Sequence, residues 1–253
     1  MGNEVDKSMS NRMKAFVIHG GISLFILILF LVLIFYVWYP EPLARGMRVI
    51  YLAGLIVFIN NVIAPLLVLM VYKQGKKNLV LDVSIIIFIQ LVALCYGMWK
   101  IEQGRPAWIV YDLDSFEVVR PVDIEKSKST NKNTNKYQQV LWHKPKYVAI
   151  QLNEEDSKEF TNDVLIMLFG GSRVLQQERY VSLDKIKDQI KQYSQNLDVL
   201  SRFNDKPLVE KTLSKYPQAT AFVPLKANAV DMVVLINKEK GEVVKIVDLR
   251  PWK

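Results

Sequence analysis

Leu79-Val-Leu-Asp82-Val-Ser-Ile-Ile-Ile-Phe-Ile-Gln90-Leu-Val-Ala-Leu-Cys95-Tyr-Gly-Met-Trp99 decides the fold. Beyond Asp82 it carries no charge until Lys100. As a helix these residues span roughly 30 Å, the thickness of a bilayer core. The stretch therefore reads as a membrane helix, and it divides the chain into unlike halves. Residues 1–78 hold two further apolar runs, whereas residues 102–253 have the charge, turns and amphipathic patterns of a folded soluble domain. The expected architecture is a membrane protein with three N-terminal transmembrane α-helices (residues 1–101) followed by a soluble α+β domain (residues 102–253).

Composition agrees with two environments. Mean hydropathy is +0.12, and 51% of residues are hydrophobic while 23% are charged, a mixture unusual for one soluble globule. The net charge of +8 divides evenly. Residues 1–78 with Asp82 hold eight Lys/Arg against four Asp/Glu, and the remainder holds 25 against 21. A soluble half so mildly basic lacks the electrostatic footprint of a nucleic-acid binder. Cys95 is the single cysteine, so no intrachain disulfide forms.

From Ala15 to Pro40 there is no charge, and the run leaves through Val37-Trp38-Tyr39-Pro40. It is too long for the ~7 to 15 apolar residues of a signal peptide, and aromatics at its end suit a membrane interface, so an uncleaved anchor is expected. The second run, Val49 to Tyr72, contains Asn60, Asn61 and Pro65. In lipid an amide needs a partner, and Pro65 frees a carbonyl one turn back. That face should look inward, either to hold the bundle together or to meet a partner's helix; Asn60, Asn61 and Pro65 are the candidate partner-helix contacts. Lys7, Arg12, Lys14, Lys73, Lys76 and Lys77 outnumber Arg45, Arg48, Lys100 and Arg105 on the other side. The bias places the N-terminus in the cytoplasm and the C-terminal domain, in a bacterium with two membranes, in the periplasm. Asp82 is read as topological or pairing rather than as a proton relay.

In the soluble half, Trp108–Leu113 and Phe116–Val119 form an expected hairpin, and residues 126–136 contain no apolar residue, so a mobile loop is expected there. Tyr147–Gln151 reads as a strand. Helices should start at Asn153, at Ser182 and at Asp205-Lys-Pro207. The C-terminal strands are expected at Ala221–Leu225, Met232–Ile236 and Val243–Val247, the last burying alternate residues and Trp252 pinning the tail.

Three apolar runs, Gly75-Lys-Lys-Asn-Leu79 with Asp82 beyond, Gln103-Gly-Arg-Pro106 with the Tyr111–Val119 hairpin, and the terminal Gly241–Trp252 stretch together resemble the type IV pilin accessory proteins of the TfpX/TfpZ kind. The resemblance implies a multi-pass bacterial inner-membrane protein that acts as a pilin-specific chaperone or assembly modulator. Its partners would be a cognate type IV major pilin and membrane lipid. No catalytic, cofactor or metal residues come with that family. A pilin stores an apolar helix in the membrane and its head in the periplasm, so a partner with a helix bundle and a periplasmic domain fits.

Rival classes have little material. His19 and His143 are the only histidines, no phosphate-binding glycine motif occurs, and Asp112, Asp114, Asp123 and Glu125 have the spacing of turn formers rather than of a carboxylate pair. Neither an enzyme nor a bound small-molecule substrate is indicated. A membrane-anchored periplasmic ligand-binding or sensor module is the alternative, although the short N-terminal tail and the 73–78 loop offer no output domain.

Overall fold

The apolar runs become helices because nothing else satisfies backbone N–H and C=O groups in hydrocarbon. A computed structural model describes residues 2–71, 77–126, 137, 143–150, 168 and 172–253. Helix α1 (Gly2–Val32) continues through a π-helical turn to Trp38. After the short α2 (Leu43–Gly46), α3 (Val49–Phe58), a π segment (Ile59–Ile63) and α4 (Ala64–Val71) make one span, and α5 (Leu79–Gln103) makes the last. Three helices are thus long and apolar enough to cross a membrane, Phe16–Trp38, Val49–Val71 and Leu79–Gln103, and they anchor the chain.

Large apolar side chains such as Phe25, Tyr51, Phe58 and Phe88 are exposed on these helices, as a lipid-facing surface requires. Close packing is confined to particular positions. A Cβ at Gly97 would lie 2.6 Å from Ile56 Cδ1, so any larger residue there would push the Ile56 side chain of α3 aside. At the end of α5, Lys100 Nζ stands 4.6 Å from the Trp99 ring centroid and 5.5 Å from that of Tyr96, the kind of aromatic and cationic belt that marks a membrane–water boundary. Asp82 occupies the first turn of α5, where a carboxylate complements the positive helix end.

A second compact unit comprises residues 38–47 and 103–253. Its sheet runs β4-β3-β1-β2-β6-β7-β8, with β5 also paired to β6. The strands are β1 (Trp108–Asp112), β2 (Ser115–Val119), β3 (Lys146–Ile150), β4 (Tyr180–Val181), β5 (Gln195–Asn196), β6 (Ala221–Lys226), β7 (Met232–Asn237) and β8 (Glu242–Val247). β1 and β2 form the expected hairpin, closed by a two-residue turn in which Leu113 adopts φ +56°. β1–β3 and β2–β6 are parallel; the other neighbours are antiparallel.

Both faces of the sheet are covered. Ile109, Tyr111, Phe116, Val223 and Val234 pack on one face with Leu43, Ile186 and Ile190, while Trp108, Val110, Val148 and Tyr180 form a core on the other beside that of Phe222, Leu235, Leu200 and Leu249. Burial on both sides explains why β6 and β7 read as unbroken apolar runs. Residues 38–47 knit into this unit: Leu43 is in its core, and Ala229 and Val230 N–H both donate to Gly46 O at 3.1 Å. Ser182 opens a 3₁₀ turn and the helix Lys187–Tyr193, and Asp205 precedes the helix Lys206–Leu213 with proline in its first turn. The expected helix from Asn153 lies outside the described residues, and so does the expected loop at 126–136 apart from Lys126, which instead ends the helix Pro121–Lys126.

Two expectations at the C-terminus are corrected. β8 does not bury alternate residues: Ile246 and Val247 are both buried, one in each of the cores that cover the two faces of the sheet, while a bulge opposite Leu235/Ile236 interrupts the register further up the strand. The tail is held by Leu249, which is fully buried, and by a reciprocal pair in which Asn204 Nδ2 donates to Arg250 O at 2.9 Å and Arg250 N to Asn204 Oδ1 at 2.7 Å. Trp252 stays 37% exposed and donates its indole N–H to Asp231 at 2.9 Å.

Candidate functional site

Polar side chains in the middle of a membrane bundle are costly, and they mark either structural glue or a site. In this bundle they converge. Gln90, near the midpoint of α5, donates from Nε2 to Ser23 Oγ on α1 at 2.9 Å and to Asn60 O at 3.2 Å, so one amide ties all three spans.

The Asn60 carbonyl is available for a local reason. In the π segment Ala64 N–H bonds Ile59 O, five residues back. The next N–H would bond Asn60 O in the same pattern, but residue 65 is proline and has none. Gln90 supplies the missing donor. Asn60 itself is 3% exposed and donates from Nδ2 to Ile56 O on its own helix at 2.9 Å. Pro65 is buried, while Asn61 is half-buried with its Nδ2 unpartnered.

Beside this network is a cavity of about 140 Å³, lined by His19, Ser23, Asn60 and Gln90 together with Ile22, Leu91 and other aliphatic side chains. His19 Nε2 and Gln90 Oε1 are buried there, the two side chains lying within hydrogen-bonding reach of each other. The structure thus brings Asn60 together with residues that sequence reasoning passed over. The signal for Gln90 was present as the one amide within the apolar run Val83–Trp99; His19, noted in the sequence only as one of two histidines, lines the cavity.

In the soluble unit the acidic candidates are engaged structurally. Arg173 Nη2 donates to both Asp112 carboxylate oxygens at 3.0 Å, and Arg120 grips Asp123 through two bonds of 2.7 Å. Asp114 is exposed beside Leu113 in the hairpin turn. His143 is exposed, and its carbonyl accepts from Arg105 Nη1 at 3.5 Å. Among the described residues no cluster of three or more His, Cys, Asp or Glu has a metal-binding arrangement. A shallow cavity of about 140 Å³ between Pro40, Leu43, Tyr147 and Lys245 places the Tyr147 ring where burial pushes its hydroxyl pKa up to about 12. Glu117 on β2 is half-buried, and its carboxyl pKa is raised by burial, a rise opposed by the charge of Lys226 beside it.

Comparison with known proteins gives a consistent result. The family described as "Fimbrial assembly protein FimB" matches residues 7–48, the segment that contains His19 and Ser23. The "Fimbrial assembly protein, serogroups C1 and C2" of Dichelobacter nodosus is 40% identical over 109 residues, which are 42% of this chain and 83% of that protein. Two further proteins of that organism, fimbrial assembly proteins of serogroup I and serogroup E1, are 40% and 38% identical over 109 residues, 42% of this chain and 42% of each of them. The chain thus matches less than half the length of those two relatives. No solved structure matches it. The chain belongs to this family of fimbrial assembly proteins, in keeping with its resemblance to the type IV pilin accessory proteins.

Proposed function

We propose that the protein is an inner-membrane helper of type IV pilus assembly, a pilin-specific chaperone or assembly modulator that supports the stability, maturation or assembly of a cognate pilin. The observation that carries this reading is a three-span bundle with an intramembrane polar network in a chain of the fimbrial assembly family. Such a bundle offers an incoming apolar helix hydrogen bonds and close-packing positions, the two things that drive helix association in lipid. Asn60, Asn61 and Pro65 shape the inner face of that site, and residues 103–253, on the periplasmic side, meet the pilin head. The role is non-enzymatic.

The test is capture of the cognate pilin by the intact protein in mild detergent after co-expression. Recovery of the pilin with the wild-type chain supports the proposal. A pilin that stays wholly in the unbound fraction defeats it.

A further inference from the structure

We infer that the shallow cavity beside Leu43 and Tyr147 in the second unit is a seat for one anionic phospholipid headgroup, its phosphate on Lys144 and Lys245 and its glycerol on an apolar floor. The lining has two chemical parts. Pro40, Leu43, Ile109, Pro145 and Ile246 make it apolar, and the exposed Lys144 and Lys245 make it cationic. Among the described residues neither lysine is ion-paired, whereas Lys187 elsewhere in the unit is held between Asp184 and Glu242. Glu41 is the one acid of the lining, and its carboxylate lies 3.8 Å from Arg45 Nε, which partly offsets its charge. Two unpaired ammonium groups beside hydrocarbon suit a ligand that is anionic at one end and apolar over the next few atoms.

Chain length ties the cavity to the membrane. The first span ends at Trp38, and Pro40 follows two residues later. Two residues reach at most ~7 Å, and the headgroup layer on each side of a ~30 Å core is about 5 to 8 Å deep. The wall at Pro40 is therefore held in or beside that layer, whatever the arrangement of the two units. Ile109, also in the lining, follows the third span, Leu79–Gln103, by six residues, so a second tether starts from the membrane. At about 140 Å³ the cavity is smaller than the roughly 300 Å³ of a drug-sized ligand site, but it takes a phosphate with the carbons next to it. A soluble acidic peptide offers the same charge. The anchor, however, keeps headgroups beside the cavity at a local concentration that no soluble partner matches.

The inference needs the anchor and not the pilin, so its failure leaves the proposed function standing. Full-length protein in detergent micelles is titrated with phosphatidylglycerol or with phosphatidylcholine, and bound lipid is counted by native mass spectrometry. Wild type should take up one phosphatidylglycerol in preference to phosphatidylcholine. A basic side chain at an anionic membrane surface contributes about 5-fold in binding, so Lys144→Gln with Lys245→Gln should weaken that site roughly 25-fold. Lys206→Gln with Lys211→Gln, on a helix that packs against the other face of the sheet, should leave it unchanged. Glu41→Gln removes the acid from the lining and should tighten binding, the opposite direction from the lysine variant. Inorganic phosphate and glycerol phosphate, at concentrations equal to the lipid, should not compete. Competition by either would make the cavity a site for a soluble anion and overturn the headgroup seat. A phosphatidylglycerol preference that is absent from wild type, or that survives in the Lys144/Lys245 variant, overturns it as well; if that variant instead loses capture of the pilin, the lysines belong to a surface for an acidic partner.

Discussion

At the scale of single residues, Gln90 holds more of the bundle than its one amide suggests. Its removal breaks two interhelical bonds and leaves the Asn60 carbonyl without a donor. Each membrane hydrogen bond is worth ~0.6 to 2 kcal/mol, and an orphaned buried acceptor costs about 1 to 3 kcal/mol. Gln90→Leu should therefore destabilise the bundle by roughly 1 to 3 kcal/mol in detergent unfolding; unchanged stability would contradict the network. In the soluble unit the ranking at the tail is equally specific. Leu249→Ala empties a fully buried site and should cost about 2 to 5 kcal/mol, whereas Trp252→Ala loses one bond on a partly exposed ring, about 1 kcal/mol. Equal melting temperatures for the two variants would refute that order. Asn60 and Pro65 were legible in the sequence as polar or helix-breaking residues in an apolar run. Their partners were not, because hydropathy carries no record of how each helix is turned about its axis.

At the scale of elements, the π segment and Gln90 form a coupled pair. Pro65→Ala restores the N–H that Asn60 O lacks, so the backbone competes with Gln90 for that acceptor. The double variant Pro65→Ala with Gln90→Leu should then lose less stability than the two single changes added together; strict additivity would show that the proline is not the reason for the Gln90 bond. The sheet makes a pH-dependent prediction through Glu117. Its carboxyl pKa is raised in the folded state by burial, so the folded chain binds its proton more tightly than the unfolded chain. Stability from this group is full below the ordinary glutamate value and falls as pH rises through the folded pKa. Glu117→Gln should raise the melting temperature at pH 7 relative to wild type, with the advantage shrinking at pH 4. An equal shift at both pH values would count against it. Strands β1, β2, β3, β6 and β7 could be read from their apolar and β-branched runs. The two-residue β4 and β5 carry no periodic signal, and the bulge in β8 hides its register.

At the scale of the whole molecule, apolar length and charge bias made the division into membrane spans and a soluble α+β unit readable, since both are properties of composition along the chain. That residues 38–47 belong with the soluble unit was not readable, because Trp38, Tyr39 and Leu43 are apolar in either environment. The proposed orientation rests on the lysines of the N-terminal tail and of residues 73–78. Fusions of alkaline phosphatase after Lys253 should be active and fusions of green fluorescent protein there should be dark; the reverse would place the C-terminal unit in the cytoplasm, away from a pilin head. The most direct test of pilus assembly is deletion of the gene, with pilin abundance and surface piliation measured together and the intact chain supplied back. A fall in either one, restored by the intact chain, is the expected result, and normal pilin abundance with normal piliation in the deleted strain would contradict it.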